Sequence, residues 1–442
     1  MPSRLTRRRV LGGLAGGSAA GFAGYRLLPP TLLPDPVLRL RTERRPVPEV
    51  DTALAVSPDA LDDSREHLRD VIDRAESAWD AVEDADVETQ NEEFDRGLES
   101  TLDTAREQLD AAEGADPTTD ALRTLRFGVN RAAWSLGAAR AIADDYTAEE
   151  LNERSTALHD DANDFADRMG YGVADPRRGL AVLARTERAL YFARMKAYGQ
   201  VYVSGEAVAK EEYDYREAVE AIRGAIDGRR WLGDARAIYE AHRSNVDEAS
   251  ASEVADLEAH LDRTWRDLAA RIDEEFPDRD AALDRYAERD DEGAQSRAVS
   301  ELLHDGLYQA YDARPPTDGL RGGLLARAAL EHAKALQHGR AFQSAIERLD
   351  AAFADDAVDA TLAARTKREA TGRLRELLAD ADDPLTRELA ARPREEVVIG
   401  DWPYEWGSSG DHEYPNAEAY VMYLLGSEIA RATPDVRDLL LP

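Results

Sequence analysis

The sequence predicts an all-α fold, an antiparallel bundle of many helices. From Ser57 onward, apolar residues recur with the 3.6-residue period of an amphipathic helix. Serine, threonine or aspartate precedes many of these stretches, and proline or glycine marks many of the joins between them. Each apolar stripe lasts for only two or three heptads, which is too short for a long coiled coil and favours helices that pack side by side.

The stripes place the helices in order along the chain. Leu61, Leu68 and Ile72 begin the stripe of the first helix, and similar patterns follow. Alanine-rich stretches at 132–139 and 326–341 have small side chains on several faces, which favours a central place in the bundle. The pattern predicts helices over residues 58–84, 90–113, 118–145, 147–169, 176–226, 230–247, 252–275, 279–290, 293–313, 318–353, 357–381 and 414–431.

A short similarity suggests that the body consists of two related helical halves, residues 58–247 and 248–442. Residues 117–123 (PTTDALR) resemble residues 315–321 (PPTDGLR), and an alanine-rich stretch follows each copy. Threonine and aspartate at a helix start are also ordinary N-cap chemistry. The similarity therefore has two explanations, an internal duplication or convergence, and the sequence leaves both open.

The helical period disappears in residues 395–415, where we predict an irregular, aromatic-rich loop. Val397–Ile399 form a β-branched run, and two of the six tryptophans follow it. Large aromatic rings on a loop are costly unless they pack or bind, so the loop is either a lid with buried rings or a recognition loop. A recognition loop would use seven side chains: Trp402, Tyr404 and Trp406 for stacking, and Asp401, Asp411, His412 and Glu413 for polar contacts.

Acidic residues dominate the composition and limit the possible partners. The chain has 89 aspartate and glutamate residues against 56 lysine and arginine residues, a net charge of −33, and only four of the basic residues are lysine. No basic face compensates this charge, so we predict no nucleic-acid partner. The absence of cysteine excludes disulfides, thiolate metal ligands and a lipid-modified cysteine.

Residues 1–25 contain a basic start followed by a weakly apolar run. Arg7 and Arg8 stand in a run of three arginines, and glycine and alanine dominate residues 10–25. This arrangement resembles a twin-arginine export signal, and the acidic, lysine-poor composition resembles that of haloarchaeal proteins. The resemblance implies an exported protein, either extracellular or anchored on the outer face of the cytoplasmic membrane, depending on whether the signal is cleaved.

Residues 26–57 are predicted to form an extended tether. Six of the 19 prolines lie in this segment, and proline disfavours a helix interior. Residues 1–45 carry a net charge of +7, from nine arginines against Asp35 and Glu43. A basic segment next to an acidic body suits anionic lipid head groups, so we predict that the membrane surface is a partner if the N-terminal segment is retained.

No motif predicts a catalytic centre, a metal site or a cofactor. Glu301 and His304 have the spacing of one ligand pair of a di-iron bundle, but the second Glu-x-x-His motif that such a site needs is missing from the sequence. The acidic residues around His159 suit a weak cation site, although such runs usually form a solvated helix face. Phosphate-binding glycine loops and nucleophile elbows are also absent from the sequence.

Three functions are compatible with these features. The first is an exported, non-enzymatic helical protein at the cell surface with a scaffold or binding role. The alternative is an extracytoplasmic protein that binds a solute or a cation through the aromatic and acidic loop 401–414. An enzyme is the third, and no recognisable catalytic set speaks for it.

We expect the protein to lose stability when salt is removed. At molar ionic strength the Debye length is about 3 Å, so the 89 acidic residues repel one another weakly, whereas at 0.1 M it is about 10 Å. The melting temperature, measured by circular dichroism in molar and in dilute potassium chloride, should fall as the salt is diluted. A melting temperature that does not fall would contradict this prediction.

Overall fold

The computed structural model confirms the all-α fold. It describes residues 33–84, 92–198, 202–203, 206–207, 209–250, 253–276, 293–354, 358–379, 383–405 and 414–442. In these ranges the strands are limited to two antiparallel pairs of two-residue strands, and all other regular structure is helical. Within the same ranges, no helix combines the length and the apolarity that crossing a bilayer requires.

The elements follow the chain in a simple order. The helices are α1 Asp35–Glu43, α2 Pro58–Asp84, α3 Glu92–Ala112, α4 Thr119–Ile142, α5 Ala148–Arg168, α6 Pro176–Tyr198, α7 Tyr215–Asp247, α8 Glu258–Glu275, α9 Ala294–Leu302, α10 Leu325–Ala354, α11 Ala360–Leu377, α12 Pro384–Ile399, α13 Trp402–Glu405 and α14 Pro415–Leu440. Helix α9 continues as a π-helix over Leu303–Tyr308. The strands are β1 Gly172–Val173, β2 Tyr202–Val203, β3 Glu206–Ala207 and β4 Ala255–Asp256.

The chain forms two compact units, and the first contains the described residues of 52–267, 314–331 and 440–442. Helix α4 is central in it and packs against α2, α3 and α7, while α7 also packs against α6. Gly137 allows a close approach, because a Cβ atom there would lie 2.9 Å from the carbonyl oxygen of Val219 on α7. The small residues that the sequence places in α4 therefore do bring neighbouring backbones together.

Capping side chains begin the central helices of this unit. The Thr118 side chain accepts a hydrogen bond from Ala121 N at the start of α4, where Asp120 also complements the helix dipole. Asp214 and Glu217 form a complete capping box at the start of α7. These residues satisfy backbone N–H groups that would otherwise lack a partner, which explains why both helices begin where they do.

The second unit contains the described residues of 33–51, 268–313 and 332–439. Its core is built from α9, the π-helix, α10, α11 and α14, with Phe342, Tyr420 and Leu425 among the buried residues. Helices α12 and α14 meet at Gly426, where a Cβ atom would lie 2.8 Å from the carbonyl oxygen of Pro393. A larger residue at 426 would force these two helices apart.

The predicted long helix 176–226 is wrong, because α6 ends at Tyr198 and α7 begins at Tyr215. Strands β2 and β3 pair between them. The intervening sequence contains two glycines and alternating valine and tyrosine residues, which favour strand over helix. The capping box then starts α7 well before residue 230, so the helix predicted over 230–247 is only the second half of α7.

The predicted extended tether is wrong over residues 35–43, which form α1, whereas residues 44–57 contain no helix. Pro34 and Pro36 flank the first helical residue, where a missing N–H group costs nothing and the fixed φ angle suits a helix. Leu33 and Leu38 are buried together with Ala360 and Ala364. Proline content alone predicts an extended segment here. The prolines, however, lie at the helix start, where they are tolerated, and the burial of two leucines stabilises the helix.

Two further boundaries differ from the prediction. Helix α12 runs through the β-branched residues to Ile399, and α13 adds a helical turn, so the described part of the predicted loop, residues 395–405, is largely helical. Residues 315–321 form turns, and α10 starts only at Leu325, whereas residues 117–123 cap and open α4. The two similar heptapeptides therefore have different structures, which favours convergence over duplication at this motif.

A buried ion pair holds α1 onto α11. Lys367 is fully buried, and its Nζ atom lies 2.6 and 2.7 Å from the two Asp401 carboxylate oxygens. The same ammonium group donates to the carbonyl oxygens of Thr42 and Glu43, at 2.9 and 3.0 Å, which end α1. Tyr423 also donates to Asp401, at 2.5 Å. Every polar atom of the pair is thus engaged, as a buried charge requires.

We expect Lys367→Met to lower the free energy of unfolding by about 3–5 kcal/mol, because it leaves the Asp401 charge buried without its partner. Urea denaturation at constant salt, followed by circular dichroism, measures the loss. Arg243→Gln is the control, since it removes one partner of an exposed pair with Asp247 and should change the same quantity by about 0.5 kcal/mol or less. Equal effects of the two substitutions would contradict the prediction.

Candidate functional site

The predicted recognition loop supplies few accessible side chains among its described residues. Asp401 forms an ion pair with Lys367, and Tyr404 packs against the core of its unit. The Trp402 side chain is half exposed. Four further predicted contacts, Trp406, Asp411, His412 and Glu413, lie outside the described residues, as do the export-signal residues Arg7 and Arg8. The recognition loop therefore stays a prediction, with Trp402 as its accessible member.

The weak metal candidates are engaged in other contacts. Glu301 lies 2.6 Å from Arg297 Nη2, and His159 contacts Asn163 and Asp160. In the described ranges, no group of three or more histidine, aspartate or glutamate residues has the geometry to hold a metal ion.

A cleft of about 180 Å³ in the first unit is a stronger candidate. Helices α4, α6 and α7 form its walls, and Thr52 lies at its edge. Four arginines and one tryptophan dominate the lining, which consists of Thr52, Thr119, Asp120, Leu122, Arg123, Arg126, Arg185, Arg188, Ala189, Trp231, Asp234 and Ile238. We call it the arginine cleft.

Helices α4 and α7 fix one side of the arginine cleft. The Arg126 guanidinium lies 3.5 Å from the centroid of the Trp231 ring and forms an ion pair with buried Asp234. Phe192 stacks on Trp231 at 4.5 Å between centroids. Trp231 is thus held between a cation and an aromatic ring, and it forms a rigid wall rather than an open platform for stacking.

Asp234 is shared by two arginines, which leaves an excess of positive charge. Besides Arg126, it accepts a hydrogen bond from Arg230 Nε at 2.9 Å, and Arg230 Nη2 lies 2.8 Å from the same carboxylate oxygen. Burial lowers the pKa of Arg126, and the Asp234 carboxylate opposes that effect. One carboxylate therefore orients two guanidinium groups but neutralises only one of them.

Helix α6 adds two arginines, Arg185 and Arg188, one turn apart on the opposite wall. Arg185 Nη1 donates to Thr119 Oγ1 at 3.1 Å, and the same hydroxyl oxygen accepts from Leu54 N at 3.0 Å. Arg188 is exposed and lies 5.9 Å from the Phe192 ring centroid. In the part of the chain that the structure describes, no carboxylate oxygen lies within 4 Å of Arg188.

The arginine cleft concentrates positive charge in a strongly acidic protein. Four arginines line it against two carboxylates, Asp120 and Asp234, and Arg230 adds a further charge behind the wall. The start of α4 at Thr119 contributes the positive end of a helix dipole. Guanidinium groups bind carboxylate and phosphate oxygens in pairs, so the arrangement is suited to a small anion.

The arginine cleft is not predicted from the sequence, although part of its pattern is visible there. Arg123 and Arg126 lie one helical turn apart, and Arg185 and Arg188 repeat that spacing. Paired arginines on a helix face are unusual only if no acidic residue on a neighbouring helix binds them. That depends on how α4, α6 and α7 pack, which the periodicity of each single helix does not reveal.

Glu187 is a buried carboxyl group in the same unit, and its contacts imply a proton. The Tyr171 hydroxyl oxygen lies 2.6 Å from Glu187 Oε1 and 2.6 Å from the carbonyl oxygen of Gly323. One hydroxyl proton cannot serve both acceptors, whereas a protonated Glu187 donates to Tyr171, which then donates to Gly323. Burial, which outweighs these hydrogen bonds, raises the pKa of Glu187 to about 7. Its other oxygen accepts from Arg327 N at 2.6 Å, near the start of α10.

Glu396 and His338 are buried in the second unit. Burial raises the pKa of Glu396 to about 8 and lowers that of His338 to about 4, so both are held near their neutral forms. Arg392 Nη2 lies 2.8 Å from Glu396 Oε1 but out of line for a hydrogen bond. Shifted pKa values suit catalytic groups, yet neither residue lines the arginine cleft or another described cavity, and we assign them no role in ligand binding.

We expect Glu187→Gln to stabilise the protein at pH 8 and to have little effect near pH 4. Glutamine cannot ionise, and its amide can donate to Tyr171 and accept from Arg327 N. Because the folded-state pKa of Glu187 is above the ordinary value of 4.5, the natural protein loses stability as the pH rises from about 4.5 to about 7. The variant avoids that loss, which is on the order of 3 kcal/mol.

Urea denaturation of both proteins across this pH range, at constant salt, measures the difference. Other titrating groups, including Glu396 and His338, contribute equally to both proteins and cancel. A stability difference that is independent of pH would contradict the prediction.

Comparison with known families divides the chain in two. Residues 59–248 match the family model described as Domain of unknown function (DUF8262), and residues 258–441 match Domain of unknown function (DUF8264). The two halves are therefore similar to different families, each over less than half of the chain. No curated protein and no solved structure is significantly similar to the chain.

Proposed function

We propose that this chain is an exported, non-enzymatic binding protein that holds a small anion in the arginine cleft. The observation that carries the proposal is the convergence of four arginines on one cleft in a chain of net charge −33. Such a chain has ample carboxylates to pair with arginine, so a cluster with an excess of positive charge is suited to an external anion.

The geometry narrows the class of anion. The cleft, at about 180 Å³, is smaller than the roughly 300–1,000 Å³ typical of pockets for drug-sized ligands. Both faces of Trp231 are covered, by Arg126 and Phe192, so an aromatic ligand has no ring to stack on. These features favour a small oxyanion such as phosphate, or a small carboxylate, over a nucleotide.

The proposed location rests on the N-terminal sequence. Arg7 and Arg8, followed by a glycine- and alanine-rich run, resemble a twin-arginine signal. We propose that the body acts outside the cytoplasm, free or held at the membrane surface by the N-terminal segment. A partly buried cleft suits the saline surroundings that the acidic composition indicates, because salt screens buried charges less than exposed ones.

Calorimetric titration with phosphate, sulfate and small carboxylates tests the binding proposal. We expect one of these probes to bind with one-to-one stoichiometry, and Arg185→Gln and Arg188→Gln each to weaken it roughly 10- to 100-fold, because each substitution removes a charge-assisted contact. Titrations at several chloride concentrations show whether chloride competes for the cleft.

Arg229→Gln is the matched control. Arg229 is exposed on α7, and it does not line the arginine cleft, so the substitution makes the same change in charge without touching the site. We expect it to leave the affinity unchanged. Absence of binding by every probe, or equal losses in all three variants, would contradict the proposal.

A further inference from the structure

We propose that a basic surface on the second unit, formed by Arg41, Arg45, Arg368 and Arg375, docks onto an anionic lipid bilayer. We call it the Arg45 patch. The inference deepens the proposed membrane location and rests on it, but it concerns a different part of the molecule from the arginine cleft.

The ion pair at Lys367 brings the patch together. Lys367 holds the carbonyl oxygens of Thr42 and Glu43, so the end of α1 lies beside the middle of α11. Arg45 follows that end directly, with its N–H group donating to Thr42 O at 3.0 Å. Arg368 is the next residue after Lys367, and Arg375 lies seven residues further on, two turns along the same face of α11.

The arginines of the patch are close enough to repel one another. Burial together with repulsion from Arg368, Arg375 and Arg41 lowers the pKa of Arg45. Among the residues described, no carboxylate oxygen lies within 4 Å of Arg45, Arg368 or Arg375. Both α11 members are exposed.

Another arginine on the same helix is paired with carboxylates. Arg373, between the two patch residues of α11, lies 2.7 Å from Glu369 and 3.1 Å from Glu428. Carboxylate partners are therefore within reach of Arg373, whereas among the described residues none lies within 4 Å of Arg368 or Arg375. The patch keeps its charge on the outside, where an anionic partner can neutralise it.

The place of the patch in the chain favours a bilayer as that partner. Leu33, the first described residue, packs beside Ala360 and Ala364 on the same helix α11, so the segment 1–32 joins the body next to the patch. That segment contains three consecutive arginines and a weakly apolar run. The acidic remainder of the body is repelled by anionic lipid, so attraction at the patch would orient the protein with α1 and α11 toward the membrane.

Co-sedimentation with lipid vesicles tests the docking. The full chain is mixed with vesicles of phosphatidylglycerol and phosphatidylcholine, or of phosphatidylcholine alone, at the lowest salt at which circular dichroism shows a folded protein. We expect the natural chain to bind the anionic vesicles more tightly than the neutral ones. The double variant Arg368→Gln/Arg375→Gln should bind the anionic vesicles about 30-fold more weakly.

The control is the double variant Arg216→Gln/Arg229→Gln, which makes the same change in net charge at two exposed positions of α7. It should bind the anionic vesicles as the natural chain does. Lys367 and its contacts are intact in both variants, so both should keep the stability of the natural chain.

Three results would overturn the docking proposal. They are equal binding of the patch variant and the natural chain to anionic vesicles, equal binding of the natural chain to anionic and neutral vesicles, and complete displacement from vesicles by millimolar inorganic phosphate. The first would assign membrane binding to the N-terminal segment, and the last would assign the patch to a soluble anion. Titration of the patch variant with the anion probes reports on the arginine cleft separately, so failure of one proposal leaves the other testable.

Discussion

Acidic residues outnumber basic ones by 33 in this chain, and many arginines of the folded body form an ion pair with a carboxylate. Much of the structure depends on carboxylates that are shared between two arginines. Glu369 binds both Arg348 and Arg373, and Asp234 binds both Arg126 and Arg230. In each case one carboxylate orients two guanidinium groups from different turns or helices, which ties the helices together. The same sharing leaves positive charge uncompensated where it occurs beside a cleft.

Each unit also uses one buried ionisable side chain to hold a segment that is distant in sequence. Lys367 binds the carbonyl oxygens that end α1, and Glu187 binds the backbone at the start of α10. The two buried groups differ in charge. Lys367 forms an ion pair with Asp401, whereas among the described residues no cationic side chain lies within 4 Å of the Glu187 carboxyl group, which is best satisfied with a proton shared toward Tyr171. The stabilising effect of Lys367 therefore depends on its partner residue, and that of Glu187 depends on pH.

Sequence reasoning succeeds where a helix is decided locally. The helix predicted over 58–84 is observed as Pro58–Asp84, because its proline start and its single apolar stripe are features of that stretch alone. The prediction from sequence is wrong where contacts with distant residues determine the local structure. Residues 35–43 are helical because Leu33 and Leu38 pack on α11, and Val397–Ile399 are helical despite β-branching because Val397 is buried in the core of its unit. The arginine cleft was not predicted for the same reason. Its arginines come together only when three helices pack, and their spacing within each helix does not reveal that packing.

The two proposed sites differ in how far salt reaches them, and this difference follows from burial. In the arginine cleft, Asp234 is almost fully buried and Arg126 is covered by Trp231, while Arg188 is exposed, so salt would screen an anion held there only in part. On the Arg45 patch, Arg368 and Arg375 extend into water, and ions within a Debye length of about 3 Å screen them at molar salt. As salt rises, the proposed anion site in the cleft would thus keep more of its attraction than the proposed contact of the patch with a bilayer. Docking at the patch then requires direct contact between guanidinium and lipid phosphate, because attraction over longer distances is lost first.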